Sequence, residues 1–391
     1  MATGAYIGVN NVAKKIKKGY IGVGGVARKI KKGYIGVDGK ARLCYSGIRI
    51  ITAAGTVDRP HLNYSGSIGN FASGTIGDYA VFDGGQWSND GYYSCSNQMY
   101  YWNSSFTRKQ LSTLSRENHS SANVGNYMLI GGGVNYESYY TAVRAYNSSM
   151  TYIAAPDLSS ERGARLAVST ANRALFMGIS TTIDSYDASL TKTTSTTGMK
   201  LYWMYSDTTP FNGEALIVPG GVHSDTTYTT TVYRYNDSLT QTQLSTGLST
   251  AMTGAAATTN GPYALIGGGK VGQTYDSEGY PVSTMTSAAN AFNSSFTRSS
   301  VSLSTNKHYA GRYYIKGFDI KDYGVFILGG QFARCFDVFN DSLVRTTVTG
   351  LNYGNNGIYS PITNKEMFII FNGHIGGGYD QYPYGYCYKL V

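Results

Sequence analysis

Aromatic rings stand beside carboxylates, amides and imidazoles in a series of glycine-flanked polar segments. They are Trp87, Tyr92 and Tyr93; Tyr136, Tyr139 and Tyr140; His223 and Tyr228; Tyr275 and Tyr280; and Tyr379, Tyr382 and Tyr384. Asn89, Asp90, Asn135, Glu137, Asp225, Asp276, Glu278, Asp380 and Gln381 are interspersed among them. A flat ring beside an amide or carboxylate suits a sugar, which offers an apolar C–H face and a hydroxyl edge. The same chemistry suits recognition of a protein surface at low cost in side-chain freedom. Part of the tyrosine set is expected to pack inside the fold instead.

Other chemistries find less in the chain. His61, His119, His223, His308 and His374 are all expected in loops, no two at metal-ligand spacing, so no metal site is assigned. Cys44, Cys95, Cys335 and Cys387 are too scattered for a zinc knuckle or a disulfide framework and are expected as free thiols. Asp58, Glu117, Glu161, Asp207 and Asp319 fall between the repeats described below, where carboxylates from distant segments converge. Nothing in the sequence singles out a pair for glycosidic cleavage. The expectation is therefore a binding protein and not an enzyme, with no catalytic residues and no cofactor; a glycan hydrolase is the alternative kept.

The elements that position these residues repeat. Apolar runs end in glycine at Gly84-Gly85, Gly131-Gly132, Gly178, Gly220-Gly221, Gly267-Gly268, Gly329-Gly330 and Gly373. About 15 to 25 residues later an aromatic heads a polar turn: Trp102-Asn103, Tyr146-Asn147, Tyr186-Asp187, Tyr235-Asn236, Phe292-Asn293 and Phe339-Asn340. The fourth turn residues recur at intervals of 44, 40, 49, 57 and 47. Each period reads as four short strands, so residues 48–391 are expected to form an all-β, seven-bladed propeller. Low charge (14%) with 49 glycines and 36 tyrosines agrees with a β-rich fold rather than disorder. The last period stops at its third strand, and Arg49–Ala54 reads as the spare outer strand that closes the ring. Five Asn-x-Ser matches share the turn position, so turn geometry rather than glycosylation explains them. The glycine ends and third-strand aromatics resemble the kelch-repeat propellers, with Tyr or Phe replacing the usual tryptophan in most blades.

Residues 1–47 differ from this body. They hold ten Lys/Arg and one Asp, which accounts for the whole net charge of +9. Three 14-residue units begin at Tyr6, Tyr20 and Tyr34, each with Tyr-Ile-Gly-Val followed by Asn10-Asn11, Gly24-Gly25 or Asp38-Gly39. Those dipeptides suit two-residue hairpin turns, so a meander of short hairpins is expected. Lys14, Lys15, Lys17, Lys18, Arg28, Lys29, Lys31 and Lys32 are the candidate docking residues, for an acidic protein surface. Nucleic acid is disfavoured, because the basic run lacks interleaved aromatics. No apolar run reaches the ~18 residues of a membrane span, and no secretory signal opens the chain.

The 14-residue units resemble short repeats at the start of tail-associated proteins of phages and phage-like particles of Gram-positive bacteria. That resemblance implies a virion tail component, made in the host cytoplasm and exposed on lysis. Residues 1–47 would dock to tail or baseplate proteins, with a homo-oligomer in the particle. The propeller would meet a host surface glycan or protein receptor; a purely structural tail part is the other alternative.

Overall fold

The computed structural model of the chain describes strand backbones at 6–9, 12–15, 19–23, 26–30, 32–37, 40–46, 51–58 and 68–69. Beyond these it describes residues 71–89, 92–135, 138–160, 166–178, 180–201, 206–218, 228–275, 277–279, 281–305, 315–328, 335–349, 361–364, 366–371 and 384–390. By contacts the chain divides into two compact units, Met1–Thr52 with Leu390–Val391, and Ala53–Lys389.

In the first unit, three antiparallel hairpins pair Tyr6–Val9 with Val12–Lys15, Gly19–Val23 with Val26–Ile30, and Lys32–Val37 with Lys40–Ser46. The register sets Val9 opposite Val12, Val23 opposite Val26 and Val37 opposite Lys40, leaving the expected dipeptides between the strands. The short hairpins expected from sequence are present, and among the described residues each forms its own two-stranded sheet. Lys14, Lys15 and Lys29 lie on the returning strands Val12–Lys15 and Val26–Ile30, where charge disfavours pairing with a further strand.

The second unit carries seven four-stranded antiparallel blades. Blade 1 consists of Ala72–Ile76, Tyr79–Asp83, Gln98–Trp102 and Arg108–Ser112, from the inner strand outwards. Blades 2 to 6 repeat that order from inner strands Ser120–Val124, Leu166–Ser169, Asp207–Phe211, Ala256–Thr259 and Ile315–Ile320. Blade 7 has Ile362–Thr363, Met367–Phe371 and Tyr384–Leu390, and its outer strand is Ile51–Asp58 from the start of the body. The borrowed strand is the one the sequence pointed to, starting two residues later and running further. Each inner strand neighbours the next, and blade 7 returns to blade 1, so the ring is closed.

The repeat has a local physical cause. Trp102, Tyr146, Tyr186, Tyr235, Phe292 and Phe339 are buried between blades, each worth roughly 1.5–3 kcal/mol of apolar burial. The Asx residue after each aromatic accepts two backbone N–H bonds through Oδ1, as Asn147 does from Ser149 and Thr151 at 3.0 Å. Asp187 makes the same pair at 2.9 Å in blade 3. The turn then enters the left-handed region at Phe106, Met150, Leu190, Leu239, Phe296 and Leu343, with φ of 57–61°. Glycine would remove that strain, but it would also empty the apolar sockets these side chains fill between blades. Neighbouring blades are further latched turn to turn: Asp237 of blade 4 accepts bonds from Thr170 and Asn172 of blade 3.

Candidate functional site

Antiparallel order puts the loops after second strands, and the connectors between blades, on one rim of the ring. Glycine pairs build the base of these loops. Gly84 (φ 59°) and Gly133 (φ 103°) hold left-handed conformations, and a Cβ on them would lie 2.6 Å from Arg116 O and 2.8 Å from Glu117 O. The connector between blades 1 and 2 therefore packs directly onto both glycines. Paired bonds then pin loops to connectors: Glu117 exchanges two with Val134, at 2.9 Å each, Thr253 two with Lys270, and Met252 two with Thr229.

From these bases the loops rise as β-ribbons. Blade 1 carries Gln86–Asn89 paired with Tyr92–Cys95 and with Ile68–Gly69. Blade 2 carries Val134–Asn135 with Ser138–Tyr139, and blade 5 carries Lys270–Tyr275 with Pro281–Met285. Trp87, Tyr92 and Tyr93 lie on the strands of the first ribbon. Tyr139 is 47% exposed on the blade 2 ribbon and Tyr275 68% exposed on the blade 5 ribbon. Tyr140 is half-buried at the base of the blade 2 ribbon, and Tyr228 is half-buried beside the Thr229–Met252 bridge of blade 4. Tyr384 begins the third strand of blade 7 and so belongs to the blade rather than to a loop. Tyr136, His223, Tyr280, Tyr379 and Tyr382 lie outside the described residues, as do His61, His308, His374 and Glu161. Of the docking set, Lys14, Lys15, Arg28, Lys29 and Lys32 lie on hairpin strands, and Lys17, Lys18 and Lys31 lie outside the described residues.

Beneath the ribbons of blades 1 and 2 lies a buried polar cluster the sequence did not reveal. His119 Nε2 stands 2.9 Å from Asp83 Oδ2, and Arg116 Nη2 3.5 Å from the same oxygen. Arg116 Nη1 also donates to Gly132 O at 3.0 Å and Ala142 O at 3.2 Å, so one guanidinium ties blade 1 to blade 2. Burial raises the pKa of Asp83, but the His119 hydrogen bond and the His119 and Arg116 charges outweigh it and hold the carboxyl below its ordinary value. Burial, with the neighbouring Arg116 charge, lowers the pKa of His119 despite its bond to Asp83. At neutral pH the cluster is one carboxylate, one guanidinium and a neutral imidazole. His119 lies in a connector loop as expected, but the glycine pairs let that connector sink into the ring, so its side chain is fully buried.

Two carboxylates from the sequence set, Asp207 and Asp319, sit on the inner strands of blades 4 and 6. Burial raises the pKa of Asp207, opposed by the Lys316 charge and by N–H bonds from Ala257 and Thr208. Burial raises Asp319 likewise. Among the described residues, no group of three or more His, Cys, Asp or Glu could hold a metal. Cys95, Cys335 and Cys387 form no disulfide among the described residues, and burial pushes Cys387 up to about 12. No described helix is long and apolar enough to cross a membrane.

A repeated signal that could have exposed the connectors is Leu-Ser after the outer strand, at Leu114-Ser115, Leu158-Ser159, Leu248-Ser249 and Leu303-Ser304. Leu158, Leu248 and Leu303 are buried. The serine N–H then bonds a buried polar residue of the next blade: Ser159 to Asp184, Ser249 to Asn290 and Ser304 to Asp337.

No family model and no curated protein matches the chain. Solved structures share its ring. A virginiamycin B lyase from Staphylococcus aureus has a TM-score of 0.50 at 7% identity, covering 88% of this chain and 100% of its own. A streptogramin B lyase has a TM-score of 0.50 at 9% identity, covering 88% and 98%. A catalytically inactive variant of the S. aureus lyase with quinupristin reaches 0.53 at 6% identity, covering 88% and 100%. At such identities the likeness is one of fold. It still corrects the expectation of a non-enzyme, because rings of this trace carry lyase catalysis and the propeller architecture therefore gives no ground for excluding a reaction.

Proposed function

We propose that the propeller is a receptor-binding head of a phage-like tail particle, presenting its ribbon-bearing rim to a cell-surface glycan of a Gram-positive host. The kelch-like glycine ends supply the platform, and residues 1–47 dock the protein to the tail or baseplate through their basic hairpins. The observation that carries this reading is the pair of exposed tyrosines, Tyr139 and Tyr275, on ribbons raised above the ring. Exposed aromatics on stiff two-stranded supports favour stacking on a sugar face at little entropic cost. The short hairpins of residues 1–47 support the docking role, since two-stranded hairpins are marginal alone and gain stability on a partner.

The test is to incubate the full chain with purified cell-wall polysaccharide and with intact Gram-positive cells. Retention on both is expected, and the length of the polysaccharide after incubation reads whether the ring also cleaves what it binds. Shortened chains would make the ring a glycan-cleaving enzyme. Failure to bind either, while the protein is captured by tail proteins, would make it a structural tail part.

A further inference from the structure

One connector holds the bases of two ribbons. Residues 115–119, between blades 1 and 2, reach back to the blade 1 ribbon. Gly85 N donates to Arg116 O at 2.8 Å, Arg116 N to Ser96 O at 3.3 Å and Ser115 Oγ to Cys95 O at 2.8 Å. They reach forward to the blade 2 ribbon through the paired bonds of Glu117 and Val134. Tyr140 N closes that ribbon on Gly133 O at 2.9 Å, directly beside the exposed Tyr139.

His119 is the pin of this connector. A Cβ on Gly84 would stand 2.9 Å from its Cε1, and one on Gly133 3.0 Å from its Cβ, so the residue is wedged between glycines of both blades. Its side chain is fully buried. Ionised Asp83 accepts hydrogen bonds and donates none, so the 2.9 Å contact requires the proton on Nε2. Nδ1 is then a bare acceptor, buried and without a hydrogen-bond partner. A second proton would turn it into a buried donor lacking an acceptor. It would also add a cation beside Arg116, whose Nη2 already faces the same carboxylate oxygen at 3.5 Å.

The charged groups around the ring come from each element packed on it. Asp83, on the second strand of blade 1, and Arg116, on the connector, act on it directly. Arg144 and Tyr146, on the third strand of blade 2, act on Arg116. Burial is the largest influence and opposes charging of the ring. The Asp83 side chain and main chain favour the charge, the Arg116 charge opposes it, and the balance holds the neutral form.

We propose that His119 is an acid-sensitive latch: when it takes a second proton, the connector leaves its seat between Gly84 and Gly133 and frees the bases of the blade 1 and blade 2 ribbons, loosening the rim's hold on its ligand. The loss of hold rests on the rim being the recognition surface; the opening does not. An open connector returns the imidazole to water and to its ordinary 6.5. The open population therefore grows by up to about 30-fold between pH 7.5 and 5.0.

The test is hydrogen exchange on the full chain without ligand, read by mass spectrometry and normalised to the intrinsic amide rate at each pH. Peptides containing Gly85, Glu117, Val134 and Tyr140 should lose protection by about 10–30-fold from pH 7.5 to 5.0. A peptide spanning 229–252, held by the paired bonds of Thr229 and Met252 and free of histidine, should keep its protection. His119→Gln retains a donor for Asp83 and does not titrate, so its ribbon bases should stay protected at both pH values. Unchanged protection in wild type, an equal loss in the 229–252 peptide, or an equal loss in His119→Gln overturns the proposal. The wild-type series decides by itself if the variant does not fold, and it decides separately from whether the rim binds a glycan.

Discussion

Replacing Asp83 with alanine removes the carboxylate that pairs with both Arg116 and His119 in the buried cluster. Asp83 is 1% exposed and the side chains of Arg116 and His119 are 0% exposed, so solvent cannot take over its role. Arg116 keeps its bonds to Gly132 O, Ala142 O and Ile130 O, but its charge is left uncompensated. Breaking a buried pair from one side costs about 3–5 kcal/mol. Replacing both partners with apolar groups of similar volume, as in Asp83→Leu with Arg116→Met, removes the charge and its desolvation together. That double variant should recover to within about 1–2 kcal/mol of wild type. Urea unfolding of the full chain at pH 7.5, with the transition of the ring followed by tryptophan fluorescence, measures each value. A cost below about 1 kcal/mol for Asp83→Ala, or a double variant as damaged as the sum of its singles, would refute the inter-blade staple.

Acid should weaken the ring through His119. Its folded pKa lies below the ordinary 6.5, so the unfolded chain gains a proton that the folded one refuses. Stability therefore falls as pH drops through 6.5, continuing until folded His119 itself titrates; His119→Gln should flatten the slope between pH 7.5 and 5 relative to wild type in paired urea titrations. The Asp83 contribution has a lowered folded pKa and is lost only below 3.8, while the raised Asp207 and Asp319 act with the opposite sign, which the wild type-minus-variant difference cancels. Asn147→Ala strands the N–H groups of Ser149 and Thr151 and should cost about 1 kcal/mol by thermal melting, whereas Asn147→Asp should be near neutral because Asp187 already does this work in blade 3. Gly133→Ala combines a φ of 103° with a 2.8 Å approach to Glu117 O, and should cost about 2–3 kcal/mol and speed proteolysis of the blade 2 ribbon.

The ring was legible because its determinants are local and repeated. An aromatic, an Asx residue and a closing apolar residue satisfy one hairpin from within about six neighbouring residues, so the pattern recurs wherever the hairpin does. The closing strand was legible from a missing element at one end and a spare one at the other. The Asp83–Arg116–His119 cluster was hidden for the opposite reason. Its members come from a second strand and a connector, and among the described residues the pairing occurs at the junction of blades 1 and 2 without a repeat elsewhere. Asp207 and Asp319 could be named as inter-blade carboxylates, yet their contrasting surroundings depend on which main-chain groups the neighbouring strand turns toward the axis. The hairpins at 6–46 were readable from turn dipeptides, while their failure to join into one sheet was not, because strand-to-strand pairing beyond a hairpin carries no local sequence mark.

The binding role of the ribbon rim is tested most directly by titrating host cell-wall polysaccharide into wild type and into the Tyr139→Ala, Tyr275→Ala double variant. Both residues are largely exposed, so the variant should keep the wild-type melting temperature while its affinity falls by at least tenfold. Equal affinity in the two proteins, or no binding by either, would contradict a glycan-recognition rim.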